Sequence, residues 1–169
     1  MKKVLVINTK YQKYGGEDSN FLEEINFLKK FYTVDYLIFD NSKKISIFDI
    51  IGFFTLSNFS SNKKLKLKLN SFNPDIVYIH NTWFKANLGI FNILKKANVE
   101  TILKIHNFRF SCTNSFSAAS HFRNKDFCYK CGNNIKGFNF FNKYFNNSYT
   151  KSLFVILYGK KYINILREH

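Results

Sequence analysis

The chain has 169 residues, enough for one domain with a sizeable core and too few for two. Its 26 Lys and Arg against 11 Asp and Glu give a formal charge of +15. Only 3 of those cations are Arg. Since Arg supplies bidentate recognition of phosphate and guanine and Lys only a point charge, the basic balance reads as a solvated surface before it reads as a nucleic-acid site. No apolar run reaches the roughly 18 residues of a membrane span. The apolar stretch behind Met1-Lys2-Lys3 stops at Asn8, short of the core of a secretory signal, which places the chain in the cytoplasm, where cysteines stay reduced.

Val4-Leu5-Val6-Ile7 is a continuous, partly β-branched apolar run, as in a strand buried on both faces of a parallel sheet. A turn with Gly15-Gly16 leads into a helix over residues 17–31, whose Phe21, Leu22, Ile25 and Leu28 fall on one face and whose acids Glu17 and Asp18 suit the first turn. Residues 34–39 and 75–79 read as the second and third strands, the latter entered through Asn73-Pro74. Between them, Lys64-Leu65-Lys66-Leu67-Lys68-Leu69 alternates like a strand. A crossover between parallel strands is usually a helix, however, and Leu65, Leu69 and Phe72 share a helical face, so helix is predicted with Leu67 outward. A helix over residues 86–97 and a fourth strand over 101–105 follow. From His106 to about Asn147 regular periodicity stops, and it returns in a helix over residues 149–167 through Leu153, Ile156, Leu157 and Ile163. This alternation predicts an α/β fold: a Rossmann-like parallel sheet flanked by helices, with a long irregular Cys-containing loop after the fourth strand.

Ligands of such sheets bind beyond the carboxyl ends of the strands. That rule selects the loop of residues 8–16, the loop His80-Asn81-Thr82-Trp83 and the loop His106-Asn107-Phe108-Arg109. Two His-Asn pairs thus leave the same sheet edge. Imidazole and carboxamide both donate and accept, which suits hydroxyl-rich ligands, although the same pairs also serve to satisfy backbone groups where a strand ends. Gly15-Gly16 opens the first helix, where close backbone approach and free N–H groups favour phosphate. No G-x-G-x-x-G is present, and an ordinary tight turn explains the glycines equally. Cys128-Tyr129-Lys130-Cys131, with Cys112 upstream, supplies three thiol ligands for a structural zinc, with His121 or His106 as the fourth. Unligated core thiols and a redox pair are the alternatives. Neither a Ser-His-Asp order nor paired catalytic carboxylates stand out.

Three stretches in order resemble the N-terminal domain of glycosyltransferase family 4: Tyr11 through Gly15-Gly16-Glu17-Asp18, then Pro74 through His80-Asn81-Thr82-Trp83, then His106-Asn107-Phe108-Arg109-Phe110-Ser111-Cys112. The family comprises bacterial retaining enzymes built from two Rossmann-like domains, the GT-B architecture. The resemblance implies that this chain, as one domain of residues 1–169, is the acceptor-side half, transferring sugar from a nucleotide-sugar to a glycan or lipid-linked hydroxyl. It places Gly15 and Gly16 near the donor diphosphate and His106 beside the reacting sugar. His80, Asn81, Trp83 and Arg109 would line the acceptor side. Catalysis in the family needs no metal, so zinc on Cys112, Cys128, Cys131 and His121 would be structural. Thr113 replaces the usual proline after the first cysteine, and Tyr144 stands near the place where some relatives carry a fourth.

The family's donor domain carries a Glu-x7-Glu pattern that this sequence lacks, so the resemblance implies either a truncated or a split gene product, the split case having a separately encoded donor-binding domain, and an isolated chain without transferase activity. Such an enzyme would work in the cytoplasm or peripherally at the inner face of the membrane. The alternative is a non-catalytic, zinc-stapled module that binds an anionic membrane surface or nucleic acid through its +15 charge, the Phe-rich stretch of residues 138–145 and Lys160-Lys161.

Overall fold

The computed structural model describes residues 1–10, 16–42, 46–55, 57–106, 143 and 147–168. Four strands run β1 (Lys3–Lys10), β2 (Thr33–Asp40), β3 (Ile76–Ile79) and β4 (Glu100–Leu103), and all pairings are parallel in the order β2-β1-β3-β4. Helix α1 (Gly16–Leu28) links β1 to β2. Helices α2 (Ile47–Thr55) and α3 (Phe59–Phe72) lie between β2 and β3, and α4 (Gly89–Lys96) lies between β3 and β4. The predicted Rossmann-like α/β class is therefore the fold observed. The chain divides into two compact units, residues 1–106 and 107–169. Among the described residues the second unit contributes α5 (Tyr149–Glu168).

Strand alternation separates the two faces of the sheet. On one face Val4 and Val6 of β1 meet Phe21 and Ile25 of α1, with Leu28, Tyr32, Val34, Ile38, Ile76 and Tyr78 around them. The opposite face carries Leu5, Ile7, Val77 and Ile79, all fully buried. Each such side chain contributes about 1.5–3 kcal/mol of burial free energy. Asp35 points to this second face and pairs with Lys68 of α3 at 2.5 Å, which places α3 there, and α4 packs on α3. Leu65 is completely buried and Leu67 is outward, as the helical reading of the Lys-Leu repeat requires. A strand could not seat both residues this way, because its period of two would put Leu65, Leu67 and Leu69 on one side.

Local chemistry sets the element ends. Asn58 caps α3, its Oδ1 accepting from the Ser61 N–H at 3.1 Å. Asn73 closes the helix in the left-handed region at φ 49°, with its N–H donating to the Leu69 carbonyl at 2.8 Å, and Pro74 prevents continuation. The Lys3 N–H then donates to the Asp75 carboxylate at 2.7 Å and the Asp75 N–H returns to the Lys3 carbonyl at 2.9 Å, which locks β3 beside β1.

Three readings of the sequence need correction. Leu22 is exposed rather than on the inner face of α1, which the helix fills with Phe21 and Ile25 alone on its central turns. The buried positions of α5 are Ser152, Val155, Ile156, Tyr158 and Gly159, whereas Leu153 and Leu157 are exposed; the small residues Ser152 and Gly159 hold i, i+7 positions that an apolar count overlooks. Helix α2 had no counterpart among the predicted elements. Among the described residues no helix is long and apolar enough to cross a membrane.

Candidate functional site

The strand order places β2 and β3 on opposite sides of β1, so the chain reverses its direction of winding between β1 and β3. The carboxyl ends of these two strands form the switch-point crevice, where open α/β sheets bind ligands. His80 leaves β3 at that point, and its N–H donates to the Ile7 carbonyl at 2.9 Å. Continuing the strand alternation puts its side chain on the same face as Tyr78, under α1.

The His80 ring is only 4% exposed and sits in an aromatic and polar box. Phe21 meets it edge-on at 5.3 Å and Tyr78 at 4.7 Å between ring centroids. Its Nδ1 lies 3.2 Å from Nε2 of His106, which follows β4. Its Nε2 lies 3.3 Å from Oε2 of Glu24 on α1. Glu24 also accepts from the Tyr78 hydroxyl at 3.0 Å and pairs with the Lys104 ammonium. Three elements of the sheet domain therefore converge on one carboxylate and two imidazoles.

Burial, and secondarily the neighbouring His106, holds the His80 imidazole far below its ordinary value, at about 4. It is neutral near pH 7, so its contact with Glu24 is not a salt bridge. It is not a hydrogen bond either, which leaves Nε2 buried without a formal partner. A lone pair on that atom would face the carboxylate at 3.3 Å, so the ring proton belongs there. Nδ1 of His80 is then an acceptor, and His106 must donate to it from Nε2. Burial also raises the Tyr78 phenol above its usual range and keeps it a donor to Glu24.

No family model, curated protein or solved structure matches this chain.

His80 and His106 come together as described above. Asn81 is spent on the backbone: its amide donates to the Thr9 carbonyl at 3.1 Å, its oxygen accepts from the Trp83 N–H at 2.9 Å, and the Thr9 hydroxyl donates to the Asn81 carbonyl at 3.0 Å. These bonds weld the carboxyl ends of β1 and β3 and shape the loop that presents His80. Trp83 is half-buried, with its ring edge-on to Phe53 of α2 at 5.6 Å and its carbonyl accepting from the Asn41 amide at 3.0 Å. Gly16 is the first residue of α1. Gly15, Arg109, Cys112, His121, Cys128 and Cys131 lie outside the described residues. Among the described residues, no group of three His, Cys, Asp or Glu side chains is arranged to hold a metal ion.

Sequence reasoning missed Glu24, Tyr78 and Lys104. Glu24 is one more acid on an ordinary-looking amphipathic helix, although its place one residue before Ile25 of the buried stripe is the signal that it borders the core. It also missed Asn87, a fully buried residue at φ 67° whose amide donates to the Gly52 carbonyl and whose oxygen accepts from the Leu88 N–H at 2.6 Å. Phe84 also adopts a positive φ, of 67°, a conformation that costs a bulky residue roughly 1–3 kcal/mol and tends to occur in functional loops.

Proposed function

We propose that this chain is the acceptor-side domain of a retaining glycosyltransferase of the family 4 type. The observation that carries the reading is the His80–His106 pair at the switch-point edge of a Rossmann-like sheet. A neutral imidazole with an assigned donor and acceptor suits a sugar hydroxyl, and a cation there would be poorly matched to an uncharged sugar. In the transfer, the acceptor oxygen forms the new bond to the anomeric carbon as the sugar–diphosphate bond breaks. The nucleoside diphosphate leaves with that electron pair, and the hydroxyl proton is released. His106 positions the reacting sugar, His80 orients His106, and Trp83 and Arg109 face the acceptor. Gly15 and Gly16 bring backbone N–H groups toward the diphosphate. The thiols of Cys112, Cys128 and Cys131 with His121 hold a structural zinc.

The test pairs the full chain with a Rossmann domain that carries the Glu-x7-Glu pattern, sought first in the adjacent open reading frames. Release of nucleoside diphosphate is measured over a panel of nucleotide-sugars and glycan or lipid-linked acceptors. Release that depends on an acceptor and is lost in His106→Ala supports the reading. Folded protein that releases none with any pair overturns it. Metal analysis of the purified chain tests the zinc: about one zinc per chain is expected, and a content near zero, with Cys112→Ser and Cys128→Ser as stable as wild type, removes it.

A further inference from the structure

Two neighbouring strand ends bring four side chains into one patch. Strand alternation puts Tyr78 and His80 on the α1 face of the sheet. The Lys104 N–H donates to the Ile79 carbonyl at 2.8 Å, so the chain stays paired with β3 past Leu103. The same alternation then sets Lys104 and His106 beside Tyr78 and His80 on that face. Glu24, half-buried on α1, meets this patch. Its Oε1 pairs with the Lys104 ammonium, while its Oε2 accepts from the Tyr78 hydroxyl at 3.0 Å and stands 3.3 Å from Nε2 of His80.

Glu24 therefore reaches His106 by two routes. Through Lys104, two residues before His106, it ties the exit from β4 to α1. Through His80 it acts on the rings themselves. An ionised carboxylate offers only acceptor sites, so the ring nitrogen that faces it must carry the proton. The other nitrogen of His80, Nδ1, is left to accept from Nε2 of His106 at 3.2 Å. A carboxylate behind an imidazole commonly works in this way: it selects the tautomer of the ring that it faces and thereby tunes chemistry that it never touches.

We propose that Glu24 is the positioning residue of this site: its carboxylate decides which nitrogen of His80 carries the proton, and so whether His106 gives or takes the hydrogen bond that holds its ring. What His106 does in turnover rests on the transferase reading; what Glu24 does to the two rings rests on the geometry alone.

The variant that tests it is Glu24→Gln, which keeps the shape of the side chain and replaces one oxygen by a donor. The remaining oxygen stays with the Lys104 cation, the stronger, charge-assisted contact, and the amide turns its N–H groups toward Tyr78 and His80. The Tyr78 hydroxyl can rotate to accept. His80 must then offer a lone pair at Nε2, and its proton moves to Nδ1. Nitrogen NMR of the full-length protein at neutral pH should find His80 protonated at Nε2 in wild type and at Nδ1 in Glu24→Gln. Lys104→Met, which keeps the carboxylate, should leave the proton on Nε2. Circular dichroism and thermal melting check that both variants fold. A proton that stays on Nε2 in Glu24→Gln, or that leaves it in Lys104→Met, overturns the proposal. In the nucleoside diphosphate release assay, kcat of Glu24→Gln should fall at least about tenfold with KM for the nucleotide-sugar within about threefold, because Glu24 acts through a ring and not on the ligand. A wild-type kcat in Glu24→Gln overturns the proposal even where the tautomer reverses. Wild-type protein that releases nothing counts against the transferase reading instead, and the NMR result alone then decides for or against Glu24.

Discussion

The buried His80 makes stability depend on pH in a way that can be isolated. Its proton affinity in the folded protein corresponds to about 4 instead of the ordinary 6.5, because burial and the adjacent His106 disfavour the charged ring. At about 1.4 kcal/mol per tenfold change in affinity, this amounts to roughly 3 kcal/mol. Above about pH 6.5 the ring is neutral whether the chain is folded or not, and its titration contributes nothing. Between about 6.5 and 4 the unfolded chain binds a proton that the folded chain refuses, so stability falls as the pH falls; below about 4 both states bind it and the loss is complete. Between pH 7 and pH 5 the loss assigned to His80 is about 2 kcal/mol. The assay is urea unfolding of wild type and His80→Gln at both pH values. The Gln variant is less stable at pH 7, since it gives up the packing against Phe21 and Tyr78, but its stability should decline by about 2 kcal/mol less on going to pH 5. Profiles that run parallel in the two proteins would refute the claim that the folded protein keeps this ring neutral.

Nitrogen NMR of the imidazoles should find His80 protonated at Nε2 and bare at Nδ1 at neutral pH, because Glu24 lies 3.3 Å from its Nε2 and Nε2 of His106 lies 3.2 Å from its Nδ1. A proton on Nδ1 of His80 would sink the assignment. Replacing Leu65 with Ala should cost about 2–5 kcal/mol of unfolding free energy, whereas Leu67→Ala should change it by less than about 0.5 kcal/mol, since the first is fully buried and the second faces solvent. Equal effects would mean that the Lys-Leu repeat does not form the helix seen here. Gly52→Ala should destabilise by about 1–3 kcal/mol despite the better helix propensity of Ala, because the new methyl would stand 3.1 Å from the Asn58 Cα and 3.3 Å from the Ser57 carbonyl oxygen. A thermal midpoint at or above that of wild type would refute the tight packing of α2 on this turn.

Much of the fold was legible along the chain. A fully apolar first strand, Asn73-Pro74 ahead of the third and the regular spacing of the elements are local signals with local physical causes, and the parallel sheet follows from their alternation. The sequence also placed both histidines at one sheet edge, and the structure brings them together there, His80 just past β3 and His106 three residues past β4. The sequence did not separate their roles from those of their neighbours. Asn81 looked like a ligand-facing partner of His80, but the structure spends its carboxamide on Thr9 and Trp83, because two strand ends that meet in space leave backbone groups that something must satisfy.

Helix α2 escaped detection because most of its apolar residues face outward while its one charged residue, Asp49, lies on the half-buried side, the reverse of the pattern by which a helix face is recognised. Its outward greasy face is a fact of exposure, and exposure is decided by what else packs nearby. Glu24 shows the same division. Fifty-four residues separate it from Tyr78 and eighty from Lys104, yet α1 lays it against both and against His80. Periodicity and turn chemistry act over a few residues, so the sequence by itself determined the order and type of most elements and the edge where the histidines emerge. Which carboxylate stands behind them, and which apolar face stays uncovered, depends on contacts between segments far apart in the chain, and only the tertiary structure decided those.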